Sequence, residues 1–192
     1  MKRAAFLDRD GVINRKAREG KYVTRWEEMQ ILPGVSDAIA LLNRAGFRVI
    51  VVSNQRCVAK GLITTADLEA LHRRLCEALA RDGATIDAIY YCPHETQPPC
   101  RCRKPQPGML LDAARDHDID LGASWMIGDS KADVEAGKSA GCNTALLAGG
   151  ERGAKEEAGT VAASLLEAVQ RILQLEEVVA ARDPHAKTRV RI

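Results

Sequence analysis

The chain has 192 residues, 46% of them hydrophobic and 28% charged, with 15 Gly and 7 Pro. That length and mixture suit one globular domain with a full core. A formal net charge of +2 gives no basis for a nucleic-acid or membrane partner, and no apolar run is long enough to cross a bilayer.

The opening Met1-Lys2-Arg3 is followed by only four apolar residues, which is not the pattern of a secretory signal. A cytoplasmic, reducing setting is therefore expected. The six cysteines (Cys57, Cys76, Cys92, Cys100, Cys102 and Cys142) are expected as thiols or metal ligands rather than disulfides.

The first strand, Ala4-Ala5-Phe6-Leu7, stops at Asp8, with Asp10 and Gly11 close behind. Positions two apart on an extended chain point the same way, so Asp8 and Asp10 can face one space. Two such carboxylates repel and need a cation or a shared proton, and a hard divalent ion such as Mg²⁺ meets that need. An acidic turn after a strand fits these residues equally well. A calcium EF-hand loop does not, because Val12 and Ile13 stand where a ligand and a glycine are required.

Residues 14–30 are polar, with Arg15, Lys16, Arg18, Lys21 and Arg25, and too long for a tight connection. Their cations fit an anionic substrate or a solvated surface alike.

Helix and strand then alternate, the signature of an α/β fold with a largely parallel sheet. A helix is expected from Pro33-Gly34, repeating apolar residues at Val35, Ile39 and Leu42 and ending at Gly46, then a strand over 47–52 that runs into Ser53-Asn54-Gln55. The pattern continues with a helix over 65–81 and a strand over 86–91.

Cys92-x-His94, five residues, then Cys100-x-Cys102 supply three thiolates and one imidazole. That set suits a closed, structural tetrahedral zinc site, which would fix Arg103 and Lys104 just beyond it. A helix over 107–117 and a strand over 125–127 lead to Gly128-Asp129-Ser130, with Asp133 expected one helical turn past Asp129. A strand over 143–147, a loop over 149–159, a short strand at 161–162, a helix over 164–181 and a frayed tail over 183–192 complete the chain.

Asp8 with Asp10, Ser53, Lys104 and Asp129 thus follow successive strands, and in a parallel sheet they open onto one crevice. Carboxylates for a metal, with a hydroxyl and cations for phosphate oxygens, are what phosphoryl transfer asks for. The order Asp-x-Asp-Gly, strand-Ser, Lys, Gly-Asp-x-x-x-Asp resembles the haloacid dehalogenase (HAD) superfamily of phosphatases over residues 3–150. The zinc loop with Cys102-Arg103-Lys104-Pro105, together with Ser53-Asn54-Gln55, is similar to the heptose-bisphosphate phosphatases and the related histidinol-phosphate phosphatases. Tyr22-Val23 ahead of Pro33-Gly34, and Lys104-Pro105-x-Pro107-Gly108, favour the heptose group.

The resemblance implies a Rossmann-like HAD fold: a mostly parallel sheet flanked by helices, without a large cap domain, spanning 1–182 as one domain. It implies Asp8 as nucleophile and Asp10 as acid and base, with Ser53 and Lys104 on the transferring phosphate. Asn54 and Arg103 would meet the substrate. Mg²⁺ would sit on Asp8, the Asp10 carbonyl and Asp129, with Asp133 orienting Lys104 or the metal shell. Zn²⁺ would sit on Cys92, His94, Cys100 and Cys102. The implied partner is a small sugar bisphosphate, and the implied state a monomer.

Three departures stand out: Arg56-Cys57 replaces a Ser-Gly-type pair, Ser130-Lys131 follows Asp129, and the zinc loop is short. The first puts the sugar's identity in question. The rivals are a histidinol-phosphate phosphatase, a polynucleotide 3′-phosphatase and a non-catalytic zinc-stabilised binding module.

Overall fold

The opening strand β1 (Ala4–Leu7) is buried at every position, as a strand covered on both faces must be. Its alternate side chains serve two cores. Ala5 and Leu7 join one cluster, Ala4 and Phe6 the other. In the computed structural model, which describes residues 1–147 and 158–182, β1 is central in a six-stranded sheet. The other strands are β2 (Arg48–Asn54), β3 (Ala88–Cys92), β4 (Trp125–Gly128), β5 (Asn143–Leu147) and β6 (Thr160–Ala162). All pairings are parallel and the order is β3-β2-β1-β4-β5-β6.

The helices are α1 (Val35–Arg44), α2 (Thr65–Arg81), α3 (Gly108–His117), α4 (Lys131–Ala140) and α5 (Leu165–Arg182). Apolar stripes decide their faces. Val35, Ile39 and Leu42 of α1, Leu68, Leu75 and Leu79 of α2, and Leu165, Val169 and Ile172 of α5 fill the Leu7 cluster. Met109, Leu110 and Ala113 of α3 with Ala136 and Ala140 of α4 fill the Phe6 cluster. This is a doubly wound α/β sheet of the Rossmann type. Its strand order reverses between β1 and β4, where the carboxyl ends leave a crevice.

Most expected elements stand where periodicity puts them. The expected ends of α2 and β5 coincide with the observed ones. Thr64 caps α2 by accepting from the Asp67 N–H at 3.1 Å. The strand expected over 47–52 runs on to Asn54, because Ser53 and Asn54 pair with Tyr91 and Cys92 of β3. Asp129 lies before α4 rather than on it: Ser130 is the N-cap, in a reciprocal capping box with Asp133. Residues 14–30 form a tied loop. Arg15 N donates to Gln30 O at 2.8 Å, and Leu32 N to Ile13 O at 2.9 Å. The loop expectation for 149–157 and the expected frayed tail 183–192 lie outside the described residues.

Gly137 lets α4 press against the sheet. A Cβ there would lie 2.7 Å from Met126 Cβ and 2.8 Å from Thr144 Cγ2. In an open helix, Gly to Ala gains about 0.5–1 kcal/mol. Here Gly137→Ala is expected to destabilise the protein by about 1–3 kcal/mol through overpacking, read as a lower urea midpoint with an unchanged m-value.

Candidate active site

The site is built around the ammonium group of Lys104, which comes off the Cys/His loop and is buried. Its Nζ donates to Asp8 Oδ1 at 2.8 Å and to the Val52 carbonyl at 2.7 Å, and lies 2.6 Å from Asp133 Oδ1. It joins the ends of β1 and β2 to the first turn of α4. Asp133 Oδ2 accepts from the Ser130 N–H and hydroxyl at 3.0 and 2.6 Å. Burial works against the Lys104 charge, but Asp133 and Asp8 outweigh it and raise its pKa.

Asp8, Asp129 and Asp133 bring one oxygen each to within 4.8 Å of one another. Burial lifts the Asp8 carboxyl to about 7; Lys104 pulls it down, while Asp133 and Asp10 push it up. Burial likewise raises Asp129, against the Lys16 ammonium 2.8 Å from its Oδ2. Asp129 Oδ1 is buried with no hydrogen-bond partner. Gly11, at φ 101°, admits this carboxylate, for a Cβ there would stand 2.2 Å from Asp129 Oδ2.

Three carboxylates around one lysine, with an orphaned oxygen among them, fit a hard divalent cation on oxygen ligands. The side chain of Asp10 lies outside this trio. Asp133 is inside it by distance, yet is engaged by Lys104 and Ser130.

Asp10 belongs to a second constellation. Arg9, fully buried, donates from Nη2 to Asp10 Oδ2 at 2.8 Å. Asn14 Nδ2 donates to Asp10 Oδ1 at 2.9 Å and Gln55 Nε2 to Oδ2 at 3.0 Å. Burial would raise the Asp10 carboxyl, but the Arg9 charge and these hydrogen bonds prevail and hold it below the usual carboxylate range. Gln55 Nε2 also donates to the Ser53 hydroxyl at 2.7 Å.

The Cys/His loop has the spacing of a metal site. Cys92 Sγ lies 3.6 Å from His94 Nδ1 and 3.6 Å from Cys100 Sγ. Cys102 Sγ lies 3.5 Å from Cys100 Sγ and 3.2 Å from His94 Nδ1. Tetrahedral Zn–S and Zn–N bonds of about 2.3 and 2.0 Å require edges of about 3.8 and 3.5 Å, so the four ligands fit zinc. Asn54 fastens this loop to β2: its Nδ2 donates to the Lys104 carbonyl at 3.1 Å, and its Oδ1 accepts from the Lys104 N–H at 3.0 Å.

A cavity of about 400 Å³, within the range of small-molecule sites, opens over these groups. Every residue expected at the phosphate site lines it: Asp8, Asp10, Ser53, Asn54, Arg103, Lys104, Asp129 and Asp133. Lys16, Arg18, Lys21 and Tyr22 of the tied loop line it too, as does Arg56, whose Nε donates to the Tyr22 hydroxyl at 3.1 Å. Sequence reasoning singled out neither Arg9, Gln55 nor His72. Gln55 lay in a triplet already under notice, but Arg9 and His72 meet only through the fold.

The HAD-hydrolase-like family model matches residues 101–169. The D-glycero-beta-D-manno-heptose-1,7-bisphosphate 7-phosphatase of Rhodopseudomonas palustris is 44% identical over 145 residues, 72% of this chain and 79% of its own. That of Pseudomonas putida is 43% identical over 146 residues, 76% and 82%. The D,D-heptose 1,7-bisphosphate phosphatase of B. bronchiseptica, solved with magnesium and phosphate, superposes with a TM-score of 0.81 at 38% identity. That match covers 90% of this chain and 98% of that one. The chain belongs to the HAD-like phosphatases of the heptose-bisphosphate group. It is accordingly a phosphoric monoester hydrolase.

His72 tests the electrostatics around Arg9. Its Nε2 lies 3.1 Å from Arg9 Nη1. Burial first, and the Arg9 charge second, bring the imidazole from 6.5 to about 3. Between those values the unfolded chain holds a proton that the folded chain lacks, so stability falls as pH drops through this window. The loss reaches on the order of 2 kcal/mol by pH 5. His72→Gln keeps an acceptor for Arg9 without titrating. Urea unfolding from pH 7.5 to 4.5 is expected to show a flatter profile for this variant than for the parent.

Proposed function

We propose that this chain removes the 7-phosphate of D-glycero-D-manno-heptose 1,7-bisphosphate by way of a phosphorylated Asp8. The carrying observation is the convergence of Asp8, Asp129, Asp133 and Lys104 on one cavity at the reversal of strand order. The similarity to heptose-bisphosphate phosphatases along most of the chain supports the substrate. The cations of the tied loop, with Arg56 and Arg103 on the same cavity, suit a substrate with two phosphates.

In this reading Asp8 and Asp129, with the Asp10 carbonyl, hold Mg²⁺. When bound, the ion neutralises phosphate charge and aligns the attack. An Asp8 oxygen attacks phosphorus, and the phosphorus–sugar oxygen bond breaks with its electron pair going to the sugar oxygen. Asp10 gives that oxygen a proton. The Arg9 charge and the hydrogen bonds described above hold the Asp10 carboxyl low, so the proton it gives is one it takes from the monoanion of the entering phosphate ester, which is left as the dianion beside it. Asp10 then accepts a proton from water as the water oxygen attacks phosphorus and the Asp8–phosphorus bond breaks. Lys104 and Ser53 hold the transferring oxygens, while Asn54 acts by holding the Lys104 backbone. Asp133 orients Lys104. Arg103, whose Nη1 reaches the His94 carbonyl at 3.4 Å, contacts the substrate.

Zn²⁺ on Cys92, His94, Cys100 and Cys102 is structural in this reading, since four protein ligands leave no open position. A monomer in a reducing cytoplasm is part of the proposal, and the six cysteines, none of them in a disulfide, suit the reducing setting. Among the described residues no helix is long and apolar enough to cross a membrane.

Phosphate release from the heptose bisphosphate and from histidinol phosphate, with and without Mg²⁺, tests the assignment. The heptose ester is expected to show the higher kcat/KM, with activity lost when Mg²⁺ is withheld and restored when it is added. Asp8→Asn is expected to lower turnover about 10³-fold or more while leaving the fold intact. Faster turnover of histidinol phosphate would overturn the substrate. Stripping zinc with a thiol-tolerant chelator is expected to lower the melting temperature. It should also cost about 10²-fold in kcat/KM, the cost of a displaced binding group.

A further inference from the structure

His72 has no part in that mechanism, yet its place in the molecule is unusual. It lies on the core-facing stripe of α2, among Leu68, Leu71 and Leu75, where a leucine would pack. It is buried, and the ring of Tyr91 on β3 meets it edge-on at 5.6 Å between centroids. Tyr91 is held in turn by its hydroxyl, which donates to Glu69 Oε1 at 3.1 Å.

Arginine has no acceptor, so His72 Nε2 must accept from Arg9 Nη1. The same guanidinium meets Asp10 with its other nitrogens. Nη2 lies 2.8 and 3.1 Å from the two carboxylate oxygens, and Nε lies 3.3 Å from Oδ1. Arg9 is thus a buried plate with one edge on Asp10 and a corner on His72.

A guanidinium held at one edge only keeps the freedom of a long side chain. One held at both ends has a fixed plane, and the carboxylate bonded to it inherits that plane. Asn14 and Gln55 contact Asp10 from their own directions but do not touch Arg9 through the bonds described. Simple burial of a cation would not call for a histidine on the leucine stripe of a helix that otherwise packs apolar residues.

We propose that His72 is a positioning residue for proton transfer: through Arg9 it sets the direction of the Asp10 carboxylate toward the leaving oxygen. This rests on the reading of Asp10 as acid and base. The chain from His72 to Asp10 also joins α2, and the open groove between α2 and β3 that His72 lines, to the chemistry at the end of β1. An acid aimed by this chain matters for a poor leaving group and is idle for a good one. An alkoxide needs a proton as it departs, whereas p-nitrophenolate does not.

The test compares kcat/KM, which reports the steps through transfer to Asp8, on two esters with Mg²⁺ present. One is the best alkyl phosphate from the substrate screen; the other is p-nitrophenyl phosphate. His72→Leu is expected to lose on the order of tenfold on the alkyl ester and less than about twofold on p-nitrophenyl phosphate, a fraction of the ~10²–10⁴ that a positioned acid supplies. His72→Gln, whose amide oxygen can accept from Arg9, is expected to recover most of the loss. Asp10→Asn is expected to show the same skew more strongly. Activity on p-nitrophenyl phosphate doubles as the control for folding. Equal losses on both esters in His72→Leu, or none, overturn the proposal if Asp10→Asn keeps its skew. No skew in Asp10→Asn overturns the acid and base reading itself, and this proposal with it.

Discussion

A single buried ammonium group offsets much of the negative charge of this site. Lys104 is buried, and its three contacts come from three elements: Asp8 after β1, the Val52 carbonyl of β2 and Asp133 of α4. An uncompensated buried charge costs several kcal/mol, so none of these elements can drift without exposing one. The arrangement is still short of positive charge. Lys104 is paired with Asp8 and Asp133, Asp8 is still lifted to about 7, and an Asp129 oxygen has no partner. Lys16 leans in from the tied loop to supply part of the deficit. In the proposed reading this imbalance favours a divalent cation, and the cation in turn would admit an anionic ester.

Lys104 is steady because of what lies behind it. It follows Cys102 by two residues, and its own backbone is gripped on both sides by the Asn54 amide. Asn54 in turn is fixed by the β2–β3 ladder opposite Cys92. The Cys/His loop, the sheet edge and Lys104 therefore form one mechanical unit. In the proposed reading a zinc ion there would act on the chemistry at a distance, through the backbone it holds.

Much of this was legible in the chain, for reasons that differ by residue. Asp8, Ser53 and Asp129 end apolar runs of strand type, and a parallel sheet collects strand ends at one crevice whatever the strand order. The Cys/His quartet declares itself by spacing. The residues that escaped depend on contacts between distant segments. His72 occupies a core-facing helical position and reads as part of an apolar stripe until Arg9 is seen beneath it. Lys16 sits in a loop with no periodicity, so its approach to Asp129 depends on a path that only the folded loop defines. Asn54, expected to meet the substrate, lines the cavity, and its amide also holds the Lys104 backbone, a contact no spacing announces. The capping of α4 by Ser130 moved Asp129 off the helix, a shift of one residue that pattern alone does not resolve.

The central claim is that Asp8, and not its neighbour Asp10, takes the phosphoryl group, with the cation in place. Borohydride reduces an acyl phosphate to an alcohol, so quenching the enzyme with borohydride during turnover and mapping the peptide spanning residues 4–11 by mass spectrometry reads the acceptor directly. The account predicts homoserine at position 8, formed only when substrate and Mg²⁺ are both present. Homoserine at position 10, or an unmodified peptide from an enzyme that is releasing phosphate, would contradict it.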